Sequence, residues 1–355
     1  MDINQLIPVP DAIPVAPLWF EILLLLTFIL HLMVMNTMLG SAVIALAASF
    51  RKKLKSDDLH RGISKKLPIV IAFTINTGVA PLLFVQVLYG HLIYTSSVLT
   101  AVFWLSVVAL LMALYYGAYL NSYRARGRGD INRMVLSLTV FAMLCIGFII
   151  INNLTFMVSP EKWSQYFDNP RGTLINLTEP SLYPRFLHFV AASIAVGGLA
   201  VAHLAAWGKT GGDKDPNGGI KTGLQWFAVA TVCQVPIGTW FLFSLPARIT
   251  GLFTGGSLPS TLLLAAGITC GAAAVWFAVK KRLWPSTLSA MAAIAVMATV
   301  RHLVRIAWIS PFFKSADLEI TSQYSPLFLF IFVLLFVLGL TGYILKLAFT
   351  GRQEV

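Results

Sequence analysis

Long apolar runs with few charges recur along this chain, and nothing else in it limits the fold as strongly. They cover roughly residues 17–48, 67–94, 97–122, 132–157, 185–207, 220–245, 258–280, 286–309 and 325–348. A helix needs about 20 apolar residues to cross the hydrocarbon of a bilayer. In lipid the backbone must satisfy its own hydrogen bonds, so such runs are helices even where Gly and β-branched residues interrupt them. Charged residues make up only 11% of the 355, against about 25% in a soluble domain. The expectation is an all-α polytopic membrane protein of nine transmembrane helices, one integral membrane domain over residues 1–355. The first run exceeds what a bilayer needs, so it tilts or protrudes. No short apolar run with a basic start and a small-residue cleavage site opens the chain, so no cleaved signal peptide is expected. No convincing internal repeat is apparent in the sequence.

Basic residues set the orientation. The loops 51–66, 123–133, 208–221 and 280–285, with the C-terminal end, carry 19 of the 26 Lys and Arg, and seven fall on the other side. Positive loops stay in the cytoplasm, which puts the N-terminus outside and the C-terminus inside. An odd number of spans agrees. The net charge of +12 then follows from topology, and no nucleic acid is needed to explain it. Segment 51–66 (RKKLKSDDLHRGISKK) reads as a patch for lipid headgroups, with a docking role for a partner as the other reading. Cys145, Cys233 and Cys270 all lie inside spans, in neither CxxC nor CxxCH spacing. That argues against zinc, iron–sulfur and covalently attached heme on this chain, and against disulfides.

The polar residues inside the spans carry the chemistry. In the fifth run, Arg185 and His188 are three apart, so they share a helix face, and small residues from Ala191 to Gly198 follow. Those small residues either leave room for a flat macrocycle or let two helices approach closely. His31 lies about 14 residues into the first run, near mid-depth at the helical rise of about 1.5 Å per residue. An ionisable group there marks a functional site by default. The bland alternative is a neutral imidazole bonded to a neighbouring helix. His91, at the outer end of the second run, stays open between an iron ligand, a partner for a carboxylate of a cofactor, and an interfacial residue. The eighth run holds Arg301, His302 and Arg305. Three such groups at the end of an apolar helix are costly unless they meet anions, although headgroup snorkelling also suits Arg305. Heme meets these demands together: neutral His is its commonest axial ligand, and its propionates pair with Arg. His203 has no helix with matching spacing and is expected to be structural. Asn152 is expected to bond between helices, Pro236 to kink the sixth span, and loop 159–184, rich in Trp, Tyr, Pro and Asn, to be a surface for docking.

In their order, these motifs resemble subunit I of the cytochrome bd quinol oxidases over nearly the whole chain. His31 matches the heme-ligand His of that family's first helix. Gly78-Val79-Ala80 through Gly90 resembles its second-helix motif, and Asn153 to Pro160 the end of its fourth helix. Arg185-Phe186-Leu187-His188 resembles its fifth-helix ligand motif, and His302 to Trp308 the end of its eighth helix. The resemblance implies nine spans and heme b, two or three groups, near the outer face. Axial ligands would be His31, His188 and His302, with His91 in reserve. Arg185, Arg301 and Arg305 would face propionates. The departures also count. The family's eighth-helix Glu is His302 here, and its second-helix Glu is Gln86. Carboxylates of its third helix are absent, as are the seventh-helix Met ligand and the long quinol loop. Without buried carboxylates to carry protons to oxygen, the expected role is electron transfer. The chain is read as a heme b subunit of a quinol-linked oxidoreductase in a prokaryotic cytoplasmic membrane, working between quinone and an external redox partner. A multiheme cytochrome c or an iron–sulfur subunit fits that partner, and a second membrane subunit is possible alongside. The alternatives are a bd-type oxidase that reduces O2 and a heme-free structural or transport subunit.

Overall fold

The computed structural model describes residues 3–50, 54–126, 133–208 and 216–350. Ten α-helices follow one another: α1 (Pro17–Ser49), α2 (Leu54–Leu99), α3 (Ala101–Arg126), α4 (Arg133–Met157), α5 (Leu182–Gly208), α6 (Pro216–Ser244), the short α7 (Ala247–Gly251), α8 (Leu258–Val279), α9 (Leu283–Ile309) and α10 (Ser325–Thr350). Among the described residues there is no strand, only an isolated bridge between Ile13 and Ile320. Among the described residues, eight helices are long and apolar enough to cross a membrane. For α10 the described apolar stretch is Ser325–Val337. The basic segments 51–53, 127–132 and 209–215 and the tail 351–355 lie outside the described residues. So do the side chains of 54–60, and with them most of the proposed headgroup patch.

Two four-helix units make up the bundle. One core joins Met38, Leu39 and Ala42 of α1 to Leu67 and Ile71 of α2, Leu114 and Ala118 of α3, and Val140 and Met143 of α4. The other joins Ala195, Leu199 and Ala202 of α5 to Leu224 and Phe227 of α6, Ala274 and Ala278 of α8, and Ala290 of α9. In each unit the helices neighbour one another in chain order around a ring. The second core is richer in Ala than the first.

The units meet along α1 and α5. At Gly40 an added Cβ would fall on the Ser193 carbonyl, and at Gly197 it would lie 2.3 Å from the Gly40 carbonyl carbon. Only glycine allows backbones this near. One turn away, Ser193 Oγ donates to Asn36 Oδ1 at 2.9 Å, a pairing 157 positions apart, as is Gly40 with Gly197. The two helices are therefore parallel and in fixed register.

One end of the bundle is capped. Residues 3–16, 158–181, 245–257 and 310–324 pack over the helix ends, burying Ile13, Val15, Trp163, Ile249, Phe253 and Leu318 together. Ile13 N donates to the Glu319 carbonyl at 2.8 Å, and Thr321 N to the Ile13 carbonyl at 2.9 Å. Segment 159–184, expected as a docking surface, is anchored by a few buried residues and exposes most of the others. Trp163 is buried and donates to the Phe156 carbonyl, while Lys162 bridges Asn176 and Glu179. Its large apolar side chains that face outward are Tyr166, Phe167, Ile175, Leu177 and Tyr183. α10 leans on the bundle near this end through Phe330 against Phe84, at 5.7 Å, and through the buried Leu327, while most of its other described side chains are exposed.

Candidate functional site

The register of α1 and α5 fixes the first pair. Shifting His31 by the same 157 positions gives His188. Both lie nine residues from the glycine crossing toward the capped end, about 14 Å at the helical rise. This corrects the reading of His31 as mid-depth and His188 as near the surface. The cause is that α1 runs past the start of α5 into the cap, where Phe20 and Leu24 are buried. Each imidazole also packs on a glycine of the next helix. A Cβ on Gly78 of α2 would lie 2.9 Å from His31 Cε1, and one on Gly238 of α6 would lie 3.4 Å from His188 Cε1. Gly78 thus serves close packing. The break in α2 falls further on, at Tyr89 (φ −133°, ψ 29°), whereas α6 passes Pro236 as one helix.

Hydrogen bonds separate the ring nitrogens. His31 Nδ1 faces Thr77 Oγ1 at 3.5 Å. A partner on Nδ1 leaves Nε2 as the nitrogen for a metal, the arrangement usual for a histidine that ligates one. His188 Nδ1 is buried with no partner among the described residues. His91 Nε2 is likewise buried and unpaired, its ring set edge-on to Phe313 at 4.5 Å. His302 is engaged: Arg305 Nη2 lies 2.7 Å from its Nδ1. His203 Nε2 lies 2.8 Å from Thr287 Oγ1, and its ring packs against Trp284.

Three guanidiniums gather nearby, held by aromatic faces instead of carboxylates. Arg185 lies over Phe241 at 5.3 Å and Trp308 at 5.7 Å, Arg301 over Phe28 at 4.5 Å, and Arg305 over Tyr89 at 4.8 Å. Phe28 occupies on α1 the register position of Arg185 on α5, so these contacts share one level of the bundle. Arg301 is close enough to feel both other charges. It lies deep among protein atoms, yet its side chain is exposed. Arg185 Nε and Arg305 Nε are buried without a partner, and Arg185 reaches only Ser181 Oγ, at 3.5 Å. The nearest acids are already engaged. Glu179 pairs with Lys162 at 2.9 Å and accepts from Ser181, and Glu21 accepts from Ser315 at 2.6 Å. Among the described residues none of the three arginines makes an ion pair with a carboxylate. Buried charge without a counter-ion is expensive, so this cluster is chemically incomplete.

Several features were beyond the sequence reading. Arg248 donates to the carbonyls of Ala307 at 2.7 Å and Trp308 at 2.8 Å, capping α9 just beyond the cluster. Tyr89 and Phe313 supply aromatic walls. Asn152 was expected to bond between helices, but its Oδ1 instead accepts from Asn176 N in the cap. Asn153 makes the helix–helix bonds, to Ser96, Ser97 and Thr100. No three His, Cys, Asp or Glu side chains among the described residues gather as a metal cluster, so each histidine would serve a site by itself. No protein-family model matches the chain, and no curated protein sequence matches it.

Proposed function

We propose that this protein is the heme b-binding membrane subunit of a quinol-linked oxidoreductase, moving electrons between membrane quinone and a redox partner at the capped face. The observation that carries the reading is the cluster of Arg185, Arg301 and Arg305, free of paired carboxylate and set at the level of His31, His188 and His302. Heme brings two carboxylates and an iron on one rigid plane, so it answers both the unpaired guanidinium donors and the free imidazole nitrogens. The residues fit the group on that chemistry. His31 and His188 are the axial ligands we assign, one in each four-helix unit, which sets the expected complement at two hemes. Arg185, Arg301 and Arg305 take the propionates.

When bound, heme supplies a one-electron carrier within the bilayer. This chain's own side chains position it. Gly78 and Gly238 let the imidazoles lie flush against α2 and α6. Phe28, Phe241, Tyr89 and Trp308 exclude water around the guanidiniums, which strengthens each charge–charge contact. In this reading nine spans put the capped face outside a prokaryotic cytoplasmic membrane, and Tyr166, Phe167, Leu177 and Tyr183 offer the surface for a multiheme cytochrome c or iron–sulfur partner. A transfer role, in place of O2 reduction, is supported by the absence of Asp and Glu from the interior of the apolar runs. The test is a pyridine hemochrome assay on purified protein, followed by reduction with a short-chain quinol. A heme b spectrum reduced by quinol is expected; protein free of heme would end the proposal.

A further inference from the structure

His302 was expected as a third iron ligand, and the hydrogen bond at its ring speaks to a different role. A guanidinium carries donors only and has no acceptor. With Arg305 Nη2 at 2.7 Å from Nδ1, Nδ1 must be the acceptor, and it carries no proton. A neutral imidazole then bears its one proton on Nε2. That nitrogen is a donor, with no lone pair to offer an iron. His31 is set up in the opposite sense. Its Nδ1 faces Thr77 Oγ1 at 3.5 Å, and Thr77 is not confined to donating, so Nε2 is the nitrogen left to carry a lone pair toward a metal.

Arg305 is itself held in place. Its guanidinium lies over the Tyr89 ring at 4.8 Å, at the one residue where α2 leaves helical geometry. The His302–Arg305 spacing of three residues on α9 keeps the two side chains on one face. Among the described residues no protein group accepts a hydrogen bond from His302 Nε2. The donors in this region include three guanidiniums, the His302 imidazole N–H and the unpartnered Tyr89 hydroxyl.

We infer that His302 is a positioning residue that donates Nε2–H to a heme propionate, as the fourth member of a carboxylate clamp with Arg185, Arg301 and Arg305, and that it does not ligate iron. The inference rests on the heme b reading above and deepens it. It sets the ligand histidines at His31 and His188 and accounts for a histidine where the resembling family has an acidic ligand.

Two substitutions separate the roles. His302→Gln keeps a side-chain N–H donor and removes the imidazole. His302→Met supplies a sulfur that iron accepts and removes the donor. For a clamp residue, His302→Gln keeps the wild-type heme-to-protein ratio and visible spectrum, and His302→Met loses heme several-fold faster to apomyoglobin. For an iron ligand the pattern reverses: His302→Gln loses one heme or converts it to high spin, and His302→Met keeps it with a shifted spectrum. That reversal overturns the inference while leaving the heme b reading intact. Wild-type protein without heme overturns both. Should the variants not fold, histidine 15N spectra of the full chain from heme-deficient cells decide the matter. An unprotonated Nδ1 and protonated Nε2 at His302 are expected, and a protonated Nδ1 with a bare Nε2 refutes the role.

Discussion

At the scale of single residues, what matters is which ring nitrogen is free. His31, His188, His203 and His302 are all histidines in apolar helices, and sequence alone distinguishes them only by neighbours and spacing. Their hydrogen bonds divide them. His203 is tied to Thr287, His302 to Arg305, and His31 to α2. Gly78 tests whether the ring position of His31 has consequences. A side chain there would meet His31 Cε1 at 2.9 Å with the ring already pinned, so Gly78→Val is expected to push the imidazole aside. Heme content should fall by about half while the protein remains monodisperse. His203→Ala should leave heme content unchanged, because His203 sits at the far end of α5 and its partners Thr287 and Trp284 are at the start of α9. Hemochrome quantitation of both variants checks the pair; full heme in Gly78→Val would show that His31 needs no such seat.

At the scale of elements, the crossing of α1 and α5 sets the geometry. The distance from Gly40 to the α5 backbone leaves no room for a methyl group. Overpacking a tight contact commonly costs about 1–3 kcal/mol, and more where backbone must move. Gly40→Leu should therefore lower the thermal midpoint in detergent by several degrees and disturb both histidine sites at once, since the register that aligns them runs through this contact. A variant with wild-type melting and spectra would show the crossing to be incidental. Helix ends were largely readable from hydropathy, because the bilayer imposes a length that composition reports directly. The span expected over 132–157 is α4 at Arg133–Met157, and that over 258–280 is α8 at Leu258–Val279. What hydropathy does not encode is which helices touch. The glycines at positions 40 and 197 looked like any small residues until the fold set them face to face.

At the scale of the whole molecule, two four-helix units enclose a charged level near one end, while the buried polar side chains elsewhere among the described residues are neutral hydroxyls and amides. The arginine cluster was legible as a cost: three cations at that depth required anions, and the chain's acids lie elsewhere or are engaged. The aromatic faces that hold those cations were not legible, because Phe28, Tyr89, Phe241 and Trp308 come from four different helices. The capped face is the one part of the molecule where loops cover the cluster, and a redox partner would have to approach through it. The central claim is that each unit seats one heme on one histidine. It is tested most directly by heme-to-protein ratios and low-temperature optical spectra of wild type, His31→Ala and His188→Ala. The account predicts two hemes b in the wild type and one in each variant, with a different absorption component missing from each. A heme-free wild type, or variants that both keep the full complement, would contradict it.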